Sequence, residues 1–247
     1  MRFLRSCLTI FCFGLFGLGG LIIGTIVFPV LVLFLPVQKQ RPILSNIVHY
    51  TWIFFVKVMV SLRLINVKVT GMEKIKDLKG HIIVANHPTL LDVVLIISSI
   101  PNTICIVKST LAKNFFIKHL IQRIYLLNDD NPEYFLTKGQ EILSQGINII
   151  IFPEGTRTNS DNPLKIHRGF AQLAVRSKAP ILPVRIDCVP IILDKKQKWY
   201  DIGVKTAVYH VRFLDPISGA LTPDETFHHR AKILSEKISL KLFKRIH

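Results

Sequence analysis

Acidic residues are what this chain lacks most conspicuously. None occurs before Glu73, whereas seven basic residues do, and from Ser6 to Val37 there is no charged residue at all. Over all 247 residues, 32 Lys and Arg face 16 Asp and Glu, a formal net charge of +16. Cysteine is scarce too: Cys7, Cys12, Cys105 and Cys188 form no C-x-x-C spacing, so no disulfide framework or zinc ribbon is readable. The adjacent His228 and His229 are not spaced i, i+4 as a helical metal pair and read as surface or cap chemistry. No G-x-S-x-G elbow is present to supply a serine nucleophile, and there is no internal repeat or low-complexity tract. Hydrophobic residues nevertheless make up 49% of the chain and charged ones only 19%, which excludes a disordered chain. A basic chain of this kind would suggest nucleic acid, but no recognition module is readable. Basic and apolar together point to an anionic membrane surface as the partner.

Cys7 to Leu35 is an apolar run of 29 residues interrupted only by Thr, Gly and Pro29. As one helix it would measure about 44 Å, longer than the roughly 30 Å hydrocarbon core, so it must tilt, bend or end early. Pro29 and the glycines are the places to bend, and Gly20-x-x-x-Gly24 has helix-packing spacing, although small-residue pairs are commonplace in apolar segments. A cleaved signal peptide would share the basic start at Arg2 and Arg5, but the run is about twice the usual length and lacks a small-x-small cleavage site. In a second apolar segment, Ile43 to Ile65, residues Asn46, His49, Lys57 and Ser61 are spaced to line one helical stripe. It reads as a helix embedded beside the first, or as a buried helix of the following domain. Arg2 and Arg5 at one end of the first run balance Lys39 and Arg41 at the other, so charge does not set the orientation. Residues 1–65 are thus expected to be membrane-anchoring helices and 66–247 one domain.

Within 66–247 short β-branched runs occur at His81–Ala85, Thr103–Val107, Ile147–Phe152, Pro180–Ile186 and Val204–Phe213, after an alternating run at Leu64–Thr70. Helical stretches lie between them at Leu90–Ser99, Leu111–Arg123, Pro132–Gln145 and Arg168–Ser177. This alternation predicts an α/β fold, a mixed and largely parallel sheet flanked by helices, with ligands collecting at the carboxyl ends of the strands.

Two motifs sit at such ends. Asn86-His87-Pro88-Thr89-Leu90-Leu91-Asp92 follows the strand ending at Ala85, and H-x-x-x-x-D places an imidazole one turn from a carboxylate. An Asp on Nδ1–H fixes the tautomer and leaves Nε2 to take a proton from a hydroxyl or amine, although the spacing alone also suits a structural pair at a helix start. Pro88 is expected to begin the helix. A second such spacing, His210 to Asp215, falls in a strand run where an odd offset puts the two side chains on opposite faces. The other motif, Phe152-Pro153-Glu154-Gly155-Thr156-Arg157, ends the strand at Phe152. Pro153 stops the ladder, Gly155 permits a tight turn, and Arg157 presents a fork suited to phosphate, with Glu154 holding that Arg or the acceptor, or else capping a helix.

Together, N-H-x-x-x-x-D and F-P-E-G-T-R resemble the glycerolipid acyltransferase family, in particular bacterial 1-acyl-glycerol-3-phosphate acyltransferases. The resemblance runs from about Val67 to Ile217 and includes the basic-Gly-x-x-x-x-Ala stretch within Lys165–Ala174 and Leu182-Pro183-Val184. It implies His87 as catalytic base, Asp92 as its orienting partner, and a substrate-binding set of Glu154, Gly155, Thr156 and Arg157, joined by Lys108 and Arg168. It implies direct transfer of an acyl chain from an acyl carrier protein or coenzyme A thioester to a lysolipid hydroxyl, with no metal and no cofactor beyond that co-substrate, at the cell inner membrane with the domain on its cytoplasmic side. One departure bears on the acceptor. The family's hydrophobic-Asp-Arg strand end corresponds here to Leu126-Leu127-Asn128-Asp129-Asp130, with no Arg after the acid, so a lyso-aminolipid or other specialised acceptor stays open, as does a non-catalytic lipid-binding protein. The basic segment Arg230–Ile246 reads as a solvated or membrane-touching amphipathic helix, or as a face for an acidic donor.

Overall fold

The computed structural model describes residues 2–108, 125–128, 131–158, 166–222 and 225–243. The sheet has seven strands: β1 (Ile65–Thr70), β2 (Ile82–Ala85), β3 (Thr103–Lys108), β4 (Leu126–Asn128), β5 (Asn148–Ile151), β6 (Ile181–Val189) and β7 (Ala207–Phe213), in the order β1-β7-β6-β2-β5-β3-β4. Every pairing is parallel except that of β6 with β7. The α/β reading thus holds. β4 is not among the β-branched runs, because three residues offer no periodicity to read, and only the family resemblance put a strand end there; the expected helix at Leu111–Arg123 lies outside the described residues.

Strand periodicity builds two cores. β2 and β5 are buried on both faces, as unbroken Ile and Val runs require. Ile83 and Ile150, register partners, face one core with Leu182, Val184 and Tyr209. This core is closed by α4 (Asp92–Ser99) and by Phe55 and Met59 of α3 (Val37–Ser61). Ile82 and Ile149 face the other, closed by α5 (Pro132–Ser144), α6 (Gly169–Ser177) and α7 (Phe227–Phe243). Gly139 of α5 allows α6 to approach closely, since a Cβ there would stand 2.8 Å from Leu173.

The first apolar run is helical from Arg2 to Phe34 as α1 (Arg2–Ile22), a π turn (Ile23–Val27) and α2 (Phe28–Phe34). The π turn comes just before Pro29, which has no N–H to continue an i→i−4 ladder. These helices and α3 are long and apolar enough to cross a membrane. They are also part of the fold. Arg5 donates to the carbonyls of Arg63, Leu64, Gly203 and Lys205 at 3.1–3.2 Å, Arg2 pairs with Asp201 at 2.6 Å, and Cys12 lies in the core. The expected polar stripe on the second segment divides. His49 is buried with Nδ1 2.5 Å from the Ile97 carbonyl of α4, whereas Lys57 and Ser61 are exposed.

Candidate active site

β2 and β5 are parallel neighbours in which Val84 stands opposite Ile151. Three residues further along each strand, the same register brings His87 and Glu154 side by side at the carboxyl edge of the sheet. Two motifs 67 residues apart thereby form one site, with the chain crossing from β2 to the far side of β5 at this point. Asn86 fixes the β2 end. Its amide donates to the Ile186 carbonyl and its carbonyl accepts from the Ile186 N–H, both at 2.7 Å, so that a side chain continues the ladder to β6.

The His87 Nδ1–H donates to Asp92 Oδ2 at 2.8 Å. Asp92 is fully buried and also accepts from the Thr89 N–H at 2.7 Å, on the same oxygen, and from the Thr89 hydroxyl at 2.6 Å on the other. Burial pushes its carboxyl above the usual carboxylate range, against the His87 and Thr89 hydrogen bonds, which favour the ionised form. With Nδ1 held, Nε2 is the nitrogen left to a substrate. The ring stacks on Phe152 with centroids 4.1 Å apart. The helix does not begin at Pro88 but at Asp92, because the Thr89 amide and hydroxyl turn back onto Asp92 and the Leu90 N–H donates to Leu193. Asp215 of the second H-x-x-x-x-D spacing pairs with Lys74.

Behind the imidazole lies a bracing layer. One Glu154 carboxylate oxygen accepts the His87 N–H at 2.9 Å and the other accepts the Thr158 hydroxyl, while the Thr158 N–H donates to the His87 carbonyl at 2.7 Å. Glu154, expected among the acceptor contacts, therefore braces the His87 turn; burial raises its pKa as well. Gly155 has φ of +68°, the left-handed conformation that turns the chain after Glu154. Two further groups had no signal in the motifs. The Tyr209 hydroxyl, from β7, donates to the Thr89 hydroxyl at 3.1 Å in the buried core, and His167, held by its N–H to Pro153 at 2.8 Å, stands beside Gly155.

His87, Gly155, Thr156, Arg157 and Arg168 meet on one cavity of about 830 Å³, within the size range of ligand sites. Ile106, Val107, Ile150, Ile151, Phe135, Leu136 and Phe170 give it apolar walls, and His167 and Gln172 add to the polar ones. Asp92 and Glu154 stand behind His87 rather than on the cavity. One Arg157 guanidinium nitrogen donates to the Leu193 and Asp194 carbonyls at 3.0 and 2.7 Å, tying the loop after β6 to the cavity wall. Lys108 closes β3, next to β5, but its side chain, like Arg123, Asp129 and Asp130, lies outside the described residues.

Comparison with known proteins finds one family. Residues 66–187 match the family model described as Acyltransferase. The mouse 1-acyl-sn-glycerol-3-phosphate acyltransferase alpha is 27% identical over 169 residues, covering 65% of this chain and 58% of that protein. The 1-acyl-sn-glycerol-3-phosphate acyltransferase of Bacillus subtilis is 33% identical over 132 residues, covering 51% of this chain and 65% of that one. The chain thus spans less than two thirds of the length of these relatives. The crystal structure of the 1-acyl-sn-glycerophosphate acyltransferase from Thermotoga maritima superimposes with a TM-score of 0.72 at 21% identity, covering 98% and 97% of the two chains, a likeness of fold.

Proposed function

Residues 66–187 make this chain a member of the acyltransferase family, and on that premise we propose that it transfers a fatty acyl chain from a thioester to the free hydroxyl of a lysolipid. The observation that carries this reading is the His87–Asp92 pair at 2.8 Å, with His87 on a cavity lined by apolar side chains and by Arg157 and Arg168. His87 Nε2 takes the proton as the hydroxyl oxygen attacks the thioester carbonyl. Asp92 stabilises the imidazolium that forms and keeps Nδ1 protonated throughout. As the C–S bond breaks and the ester C–O bond is complete, the imidazolium returns its proton to the departing sulfur. No acyl group is carried by the protein. The apolar walls suit the acyl chain, and the Arg157 guanidinium on the cavity suits an acceptor phosphate.

The acceptor favoured by the relatives' names is 1-acyl-glycerol-3-phosphate, giving phosphatidic acid. The missing Arg after Asp129 favours a different lysolipid as the second reading. The donor is acyl coenzyme A or acyl carrier protein, and the place of reaction is the cytoplasmic side of the cell inner membrane. Lipid mass spectrometry of cells with the wild-type protein and with His87→Ala tests the reading and identifies acceptor and chain together. Transfer by purified His87→Ala should fall at least about 10³-fold, with the protein folded and in the membrane fraction; wild-type turnover by that variant would overturn the mechanism.

A further inference from the structure

The cavity at His87 shares a wall with a second cleft. Arg168 and Gln172 line both, and His228, His229, Ala231 and Lys232 from the first turns of α7 complete the second, of about 380 Å³. Among the described residues no acidic side chain lines it. Two other cations of these helices pair with acids outside the cleft, Arg176 of α6 with Glu133 at 2.6 Å and Arg230 of α7 with Glu225 at 3.3 Å. Among the described residues Arg168 and Lys232 have no such acid, and both are exposed at the cleft together with the two imidazoles. A planar fork, a point charge and two imidazole donors around a small recess form a site for a phosphate.

The phosphate it suits is set by distance along the substrate. In 1-acyl-glycerol-3-phosphate the phosphate is on the carbon next to the one bearing the reacting hydroxyl, so it binds beside His87, where Arg157 stands. In a thioester donor the phosphate lies at the far end of the pantetheine chain from the reacting carbonyl. A cationic recess beyond the cavity wall, without His87 in its lining, fits the second case. We propose that the cleft between α6 and α7 binds the phosphate of the donor's phosphopantetheine arm, with Lys232, His228 and His229 as its ligands and Arg168 passing the arm into the cavity. The proposal rests on the acyl-transfer reading. The arm is common to acyl coenzyme A and acyl carrier protein, so the site recognises what the two donors share.

The test uses the full-length protein in detergent with Lys232→Glu and, as the conservative control, Lys232→Arg. Three donors are compared: acyl phosphopantetheine, acyl coenzyme A and acyl carrier protein. Lys232→Glu should raise the donor KM about tenfold with all three, leave kcat and the acceptor KM unchanged, and be rescued by Lys232→Arg. A shift confined to acyl coenzyme A would assign the cleft to the nucleotide, and one confined to the carrier to its protein face. Either result, a shift in acceptor KM, or no shift would overturn the proposal. Calorimetry with free phosphopantetheine separates this inference from the reaction. Wild-type binding, about tenfold weaker in Lys232→Glu and not competed by pantetheine without phosphate, would establish the cleft even if no acyl transfer is found. Absence of wild-type binding would overturn it.

Discussion

Asp92 is a carboxylate enclosed by protein, held by three hydrogen bonds and still pushed above the usual carboxylate range by burial. A carboxyl raised in this way binds its proton more tightly folded than unfolded. It therefore lowers stability progressively as pH rises from the ordinary carboxylate range through its folded value. Asp92→Asn removes that charge. We expect the thermal midpoint of this variant, relative to wild type, to rise as pH increases through that window, while transfer falls by roughly 10³-fold because Asn cannot stabilise the imidazolium. A midpoint difference that does not change with pH would contradict the buried-charge account. The Thr89 hydroxyl, between Asp92 and Tyr209, is a positioning group in the same network. Thr89→Val should cost about 1–3 kcal/mol by leaving buried partners unsatisfied. Since the Thr89 hydroxyl hydrogen bond lowers the Asp92 pKa, its loss should also move the acid limb of kcat/KM to higher pH, a shift that damage to packing alone does not produce.

Among the elements, the pairing of β2 with β5 decides what each motif does. The strand runs and the two turns were legible because apolar runs and Pro, Gly and Asn punctuation are local signals. The register that sets Val84 opposite Ile151 is not local, and it is what turns Glu154 toward the His87 amide instead of the cavity. Tyr209, 120 residues from Thr89, reads in the sequence as one more inward position of an alternating strand. The late start of α4 was equally hidden, since Pro88 is a good first helical residue and only the folded-back Thr89–Asp92 contacts displace the start. Kinetics separate the two roles open to Glu154. As a brace, Glu154→Ala should lower stability by about 1–3 kcal/mol and reduce kcat, with the acceptor KM nearly unchanged. As an acceptor ligand it would chiefly raise KM.

For the whole molecule the question is whether the apolar N-terminal helices are a detachable anchor. The sequence suggested a boundary at residue 65, with Arg2 and Arg5 as a basic start balanced by Lys39 and Arg41. In the fold these arginines are bonded to Asp201 and to four backbone carbonyls. Cys12 is in the core, Phe13 lies edge-on to Trp199 at 5.7 Å, and Phe16 stacks on Trp52 at 4.0 Å. The inner side of the helical pair thus roofs a core that includes Phe55 and Met59, while its outer side presents Phe3, Phe11, Leu18, Leu33 and Phe34. Removing residues 1–37 uncovers buried aromatic and aliphatic side chains worth roughly 1.5–3 kcal/mol each, comparable in sum to the stability of a whole domain. We expect the truncated protein to aggregate or unfold instead of becoming a soluble enzyme. Replacing Phe11 and Leu18 together by Lys leaves the roof in place and removes only outward apolar surface, so it should weaken membrane association with the thermal midpoint nearly kept. Membrane flotation and thermal unfolding of the two variants decide between these accounts, and a truncated protein that is soluble, folded and active would show that the first two helices are an anchor alone.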